Sequence, residues 1–390
     1  MIAKNDILGY SLLATEALKK DNNVVDGTLG VFYDSDESIF VEKKVQDIFN
    51  SLSKEEIFAY SQIDGGKEYL DSVKKWMFQQ RLGMIEKSFN MELVATPGST
   101  GALFLSLLLE QGTKDVLTTH IHWANYNAIV ENTSHKLTTF QMFIGKKFNM
   151  NGLKNSLKKD KHNVILINDP CQNPTGYSMT LNEWKELFKL SHDFFISYIL
   201  DLAYIDYASP NLAQTREFLD TFLNVSENST LYLCFSGSKT FNAYGLRMGA
   251  LIMLRKGIIN ENIKMLARAT WSNPATPGVS LLTKIVNDKE TNESFKKALE
   301  NNVNELTRRS ELFCKEAALC GLTLFNHTMG FFISIPSGNP DNDILKLQQH
   351  GIYLCPQDDS IRLAISKIPY NKVKGLAKRI KEILSSHSPK

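Results

Sequence analysis

Short β-rich runs alternate with amphipathic helical stretches through the middle of this chain. That alternation restricts it, more than any other feature, to a largely parallel sheet covered by helices, an α/β fold. The expected strands are Val116 to Thr119, Leu137 to Met142, Val164 to Ile167, Phe194 to Leu200, Thr230 to Phe235 and Ala250 to Leu254. Between them, Gly101 to Glu110, Leu181 to Leu190 and Gln214 to Leu223 read as helices. From about Glu290 to Cys320 one long amphipathic helix is expected, of a length that commonly links two domains. Beyond it, Leu322 to Phe325, Phe331 to Ile335, Ile352 to Leu354 and Ile361 to Ile365 read as short strands, and Asn371 to Ser385 as a closing helix. A chain of 390 residues is also too long for one small core and points to two domains.

The formal net charge of +2 is too small to imply nucleic acid or an anionic membrane as the main partner. No apolar run approaches the roughly 20 residues of a membrane span, and Met1 to Lys20 lacks a signal-peptide core. The five cysteines, Cys171, Cys234, Cys314, Cys320 and Cys355, are scattered, with no CxxC pair and no His/Cys cluster at metal-ligand spacing. A reduced, cytoplasmic setting and no metal are the corresponding expectations.

Lys239 follows the apolar run Thr230 to Phe235 and is flanked by Ser236, Gly237, Ser238 and Thr240. A desolvated amine in such a place can lose its proton near neutral pH and condense with an aldehyde, whereas an exposed lysine stays protonated. Gly98, Ser99 and Thr100 open an apolar helix, where backbone amides and the dipole favour an anion; a helix N-cap at Ser99 or Thr100 explains the same residues. Asn173, in Asn173-Pro174-Thr175-Gly176, lies past a strand and could donate to a phenolate oxygen, and the motif in isolation is equally a Pro/Gly turn. Asp201 ends a strongly apolar strand, where an unpaired carboxylate is costly and a pyridinium nitrogen would serve as partner. Tyr204 lies close enough along the chain to reach the phenolic oxygen of the same ring; the alternative for Asp201 is a helix cap. Arg247 can hold a phosphate by two parallel bonds, with Ser236 and Ser238 adding hydroxyls. Taken in order, these residues describe a site for pyridoxal 5'-phosphate.

With Asn173-Pro174-Thr175-Gly176, Asp201-Leu202-Ala203-Tyr204 and Ser236-Gly237-Ser238-Lys239 followed by Arg247, the sequence resembles the fold type I pyridoxal-phosphate-dependent aminotransferases (class I/II), in the aspartate and aromatic amino acid branch. The resemblance implies a large cofactor-binding domain over residues 40–300 and a smaller α+β domain formed by both termini, residues 1–39 and 301–390. It also implies a homodimer. Further matches are Gly30, against the substrate carboxylate; Tyr60, reaching the neighbouring subunit's phosphate; and Trp123, stacked on the cofactor ring. Arg268 matches the residue given across the dimer to a distal carboxylate, and Arg362 the residue gripping the α-carboxylate. Implied too is transfer of an amino group between aspartate, glutamate or an aromatic amino acid and a 2-oxo acid through a Lys239 aldimine. Three departures bear on substrate choice: Gly237 where an aromatic residue is frequent, Trp271 in place of a tyrosine near Arg268, and Tyr126 where a histidine often backs the aspartate. A β-lyase or decarboxylase of the same fold is the alternative, and a non-catalytic ligand-sensing domain a more distant one. A nucleotide-binding reading fails for want of GxGxxG after a strand or a full P-loop.

Overall fold

The computed structural model describes residues 7–112 and 115–386. The chain divides into two compact units, residues 41–170 with 179–300, and residues 1–40 with 171–178 and 301–390. The eight-residue stretch 171–178 thus clusters with the terminal segments, although it lies inside the span expected for the larger domain.

The larger unit is built on a seven-stranded sheet: β1 (Asn90–Ala95), β2 (Asp115–Thr119), β3 (Lys136–Phe140), β4 (Asn163–Asn168), β5 (Ile196–Asp201), β6 (Thr230–Ser236) and β7 (Gly249–Arg255). Its spatial order is β1-β7-β6-β5-β4-β2-β3, with β7 antiparallel to both neighbours and the remaining pairs parallel. Every residue of β4, β5 and β6 is buried, as expected of strands covered on both faces. The helix Gly98–Leu109 packs onto this sheet through Ala102, Leu103, Leu105 and Leu107, against Val116, Ile199, Tyr232, Leu251 and Met253. Each fully buried leucine, isoleucine, valine or methionine of that set contributes roughly 1.5–3 kcal/mol.

Several sequence expectations need correction. Strand β1 was not expected; its outer half, Asn90 to Glu92, is not buried, so it carries no continuous apolar run. Gln214–Asn224 winds as a 3-10 helix, with Thr215 and Thr221 hydroxyls bonded to the carbonyls three residues back, which tightens the turn. The helix expected from Gly101 begins at Gly98.

In the terminal unit, Phe332–Pro336, Ser360–Ala364 and Cys355–Gln357 form a three-stranded antiparallel sheet with Ser360–Ala364 in the centre. Val25–Asp26 pairs in parallel with Ile352–Tyr353. Leu322 to Phe325 is not a strand: its link to the sheet is a hydrogen bond from Phe325 N to Ser334 O. The closing helix is interrupted at Gly375, whose φ of 76° separates Tyr370–Val373 from Leu376–Ser385. The helix Lys289–Cys320, 32 residues long, carries the chain from the one unit into the other. No described helix is long and apolar enough to cross a membrane, and all five cysteines are free thiols.

Candidate active site

Strand β1 ends at Ala95, and Thr96-Pro97 turn the chain into the helix Gly98–Leu109, which has no side-chain cap at its N-terminus. The open end of that helix faces a fixed cation. Arg247 has a left-handed backbone (φ 52°, ψ 38°) that returns its side chain toward the turn. Its Nη2 donates to Pro97 O (3.3 Å), and its Nη1 to Tyr244 O (3.0 Å) and Ser238 Oγ (3.4 Å). Gly98 (φ 70°) is where a side chain could not stand, since a Cβ there would lie 2.6 Å from Arg247 Nη2. Ser99, Ser236 and Ser238 are buried around this corner, Thr100 is partly buried, and Ser236 Oγ caps the next turn by accepting from Ser238 N (3.2 Å). Helix dipole, amides, hydroxyls and an exposed guanidinium together make an anion seat.

Lys239 sits on the four-residue helical turn Gly237–Thr240 that directly follows β6. Its Nζ lies 4.7 Å from the centre of the Tyr244 ring and 5.8 Å from that of Tyr204. The turn is anchored from behind: Tyr207 Oη donates to Lys239 O (3.3 Å), and Thr240 Oγ1 to Asp206 Oδ2 (2.6 Å). Asp206 in turn accepts from Trp76 Nε1 (3.0 Å) and is paired with Arg216, both acid and base being fully buried.

Asp201 ends β5 and is 3 % exposed. Oδ2 accepts from Tyr126 Oη (2.7 Å) and Oδ1 from Ala203 N (3.3 Å). Burial pushes its pKa up to about 6, against the opposing effects of the Tyr126 hydrogen bond, the Ala203 amide and the Lys239 charge. The Tyr126 hydroxyl is itself pushed well above its ordinary value, by burial first and then by the Asp201 charge. Trp123 meets Tyr126 edge-on (centroids 5.6 Å, 79°), and His122 lies parallel to it (6.1 Å, 3°). Among the described residues Asp201 forms no salt bridge; the Lys239 charge acts on it from beyond ion-pair distance, and a cation in direct contact would offset the cost of burying the carboxylate. A protonated pyridine nitrogen fits that requirement, as the anion seat fits a phosphate and Lys239 an aldehyde.

A second cluster belongs to the terminal unit. Arg362, 2 % exposed, comes from the central strand Ser360–Ala364. Nη2 donates to Thr28 O (2.7 Å), Nη1 lies 3.5 Å from Asn173 Oδ1, and its plane rests 4.7 Å from the Phe332 ring centre. Its buried Nε has no hydrogen-bond partner among the described residues. Gly30 belongs to the same group: a Cβ there would stand 2.3 Å from Phe332 Cζ. Gly30, Asn173 and Arg362 are therefore brought together, and so, in the larger unit, are Gly98, Ser236, Ser238, Arg247, Lys239, Tyr204, Asp201 and Trp123. Tyr60 and Arg268 are not drawn in. Tyr60 is 92 % exposed, Arg268 is exposed on the helix Ile263–Trp271, and neither makes a side-chain hydrogen bond or ion pair among the described residues. Tyr244, Thr28 and Phe332 join these clusters with no role expected from the sequence. For Tyr244 there was a signal, an aromatic residue midway between Lys239 and Arg247; the other two are remote in sequence from what they touch.

The family described as aminotransferase class I and II matches residues 31–380. The mitochondrial aspartate aminotransferase of Saccharomyces cerevisiae is 24% identical over 356 residues, covering 79% of this chain and 77% of that protein. An aminotransferase from Anaerococcus prevotii superposes with a TM-score of 0.91 at 26% identity, over 98% of this chain and 97% of its own. The aromatic-amino-acid aminotransferase of Burkholderia pseudomallei, solved covalently bound to pyridoxal phosphate, shares the fold with a TM-score of 0.82 at 20% identity, over 99% and 98% of the two chains.

Proposed function

We propose, from the premise that this chain belongs to the aminotransferase class I and II family and is a pyridoxal-phosphate-dependent aminotransferase, that it moves an amino group between aspartate, glutamate or an aromatic amino acid and a 2-oxo acid. Lys239 is the amine that takes the cofactor. Gly98, Ser99, Thr100, Ser236, Ser238 and Arg247 hold its phosphate, Trp123 covers its ring, and Asn173 and Tyr204 bond its phenolic oxygen. When bound, the cofactor supplies an electron sink for the pair left at the substrate Cα. Asp201 keeps the proton on the ring nitrogen, Lys239 Nζ takes the proton from Cα, and Arg362 with Gly30 orients the substrate carboxylate.

The observation that carries this reading is Asp201: a carboxylate 3 % exposed that makes no salt bridge among the described residues and feels the charge of the lysine that follows β6. The unit of residues 41–170 and 179–300 is, on this reading, the cofactor-binding domain. A homodimer accounts for the exposure of Tyr60 and Arg268, each offered to the partner's site, with Arg268 facing the distal carboxylate. Five free thiols fit the reducing cytoplasm.

Borohydride reduction of the loaded protein, followed by peptide mass spectrometry, is expected to fix the cofactor mass on the peptide containing Lys239 and nowhere in Lys239→Ala. A mark on another lysine rejects the assignment. Incubation of a panel of amino donors with 2-oxoglutarate is expected to return glutamate in proportion to donor consumed. Ammonia or carbon dioxide without glutamate would favour the lyase or decarboxylase alternative.

A further inference from the structure

Four neighbouring groups in the terminal unit are almost wholly shielded from water: Asp26 (7 % exposed), Thr28 (0 %), Arg362 (2 %) and Lys367 (5 %). Asp26 and Lys367 form an ion pair through Oδ2 and Nζ. Asp26 Oδ1 meanwhile accepts from both the backbone N (3.0 Å) and the hydroxyl (2.6 Å) of Thr28. The carbonyl of Thr28 then accepts from Arg362 Nη2 at 2.7 Å. Of the two hydrogen bonds the guanidinium makes among the described residues, this is the short one; the other, to Asn173, is 3.5 Å long.

The segment between the acid and that carbonyl is held on both sides. Gly27 N donates to Tyr353 O (2.9 Å), and Gly27 O accepts from Ala364 N (2.9 Å). A Cβ on Gly27 would stand 2.7 Å from Leu354 Cδ2, so the backbone passes close to its neighbours. Two charges removed this far from water are a net cost unless they are fully hydrogen-bonded, and often no more stabilising than an apolar pair of the same size. Their placement therefore asks for a purpose other than holding the unit together.

We propose that the Asp26–Lys367 pair is a positioning device that sets the rotation of the Arg362 fork through Thr28, and thereby the affinity for the substrate carboxylate. The inference rests on the reading of Arg362 as the carboxylate grip. Lys367 fixes one oxygen of Asp26, which leaves the other aimed at Thr28, and Thr28 presents its carbonyl to one Nη. The fork's other donors would then be left for a carboxylate, the buried Nε having no hydrogen-bond partner among the described residues. Because both the amino donor and the oxo acceptor bring that carboxylate, both affinities should move together.

The test exploits a conflict of donors. In Asp26→Asn the amide has one acceptor, which the lysine charge captures, so its NH2 faces the Thr28 backbone N–H, that bond is lost, and the hydroxyl keeps contact only by turning to accept. Adding Lys367→Met removes the competitor and lets the amide oxygen return to Thr28. Expected for Asp26→Asn is a rise of about tenfold in KM for both substrates, with kcat within about twofold of wild type and the bound-cofactor absorbance unchanged. Most of that rise should disappear in the double variant. An unchanged KM in Asp26→Asn, or a double variant whose defects add, overturns the proposal, since general destabilisation adds and does not cancel. Arg362→Lys separates the two levels. If it leaves both KM values alone, the carboxylate reading of Arg362 fails; if it raises them while Asp26→Asn does not, the positioning role alone fails. Should Asp26→Asn not fold, Thr28→Val removes only the hydroxyl bond and is expected to raise both KM values about threefold, an unchanged KM again overturning the proposal.

Discussion

Replacing Asp201 with Asn should stabilise the cofactor-free protein at neutral pH while disabling it as a catalyst. The carboxyl has a folded pKa of about 6 against an ordinary value of 3.8, chiefly because burial disfavours its charged form. The native state consequently holds more protons than the unfolded chain between those values, and stability falls as pH rises through that window. The full cost, reached above the folded pKa, is about 2 units at 1.36 kcal/mol each, or about 3 kcal/mol. Linkage places about 1.5 kcal/mol of it between pH 5 and pH 8. Asn has the same shape and no proton to lose, so it escapes this change. Urea unfolding of cofactor-free wild type and Asp201→Asn across pH 5 to 8 should show the variant gaining about 1.5 kcal/mol relative to wild type as pH rises. Saturation with cofactor should reverse the order, because a cationic ring nitrogen relieves the wild-type cost and offers the amide nothing comparable. A stability difference that is constant over that range, or that grows in favour of wild type, refutes the reasoning.

Two further substitutions probe the surroundings. Gly98→Ala forces a Cβ to within 2.6 Å of Arg247 Nη2 at a φ of 70°; cofactor Kd, followed by absorbance titration, should rise about tenfold, since the left-handed backbone alone costs about 1–2 kcal/mol. Asp206→Ala leaves the fully buried Arg216 without its counter-ion, and urea unfolding should show a loss of about 3–5 kcal/mol with or without cofactor. A loss under 1 kcal/mol would mean that the Lys239 turn is anchored by something other than Asp206 and Thr240.

The parallel core was legible because strands buried on both faces write themselves as unbroken apolar runs, as in Thr230 to Phe235. Lys239 and Asp201 were legible for the complementary reason: a charged residue at the end of such a run is conspicuous. Strand β1 was hidden because Asn90, Met91 and Glu92 at its outer end look like surface. The 3-10 winding of Gln214–Asn224 shares its apolar spacing with an α-helix, and the difference lies in hydroxyl bonds that no periodicity records. Asn173 was read from a turn motif, yet the clustering of residues 171–178 with the terminal segments depends on contacts with residues far away in the chain. Thr28 and Phe332 were invisible for the same reason: each matters through Arg362, which lies 334 positions from Thr28 and 30 from Phe332.

Arg247 is tied to two main-chain carbonyls and a serine hydroxyl. Its conformational freedom is thus surrendered when the protein folds, before any anion arrives. On the proposed reading, a vitamin lacking its phosphate ester would meet this preset charge with nothing to offer it. The enzyme would then discriminate between the two vitamer forms at the moment of loading, by how long each one stays.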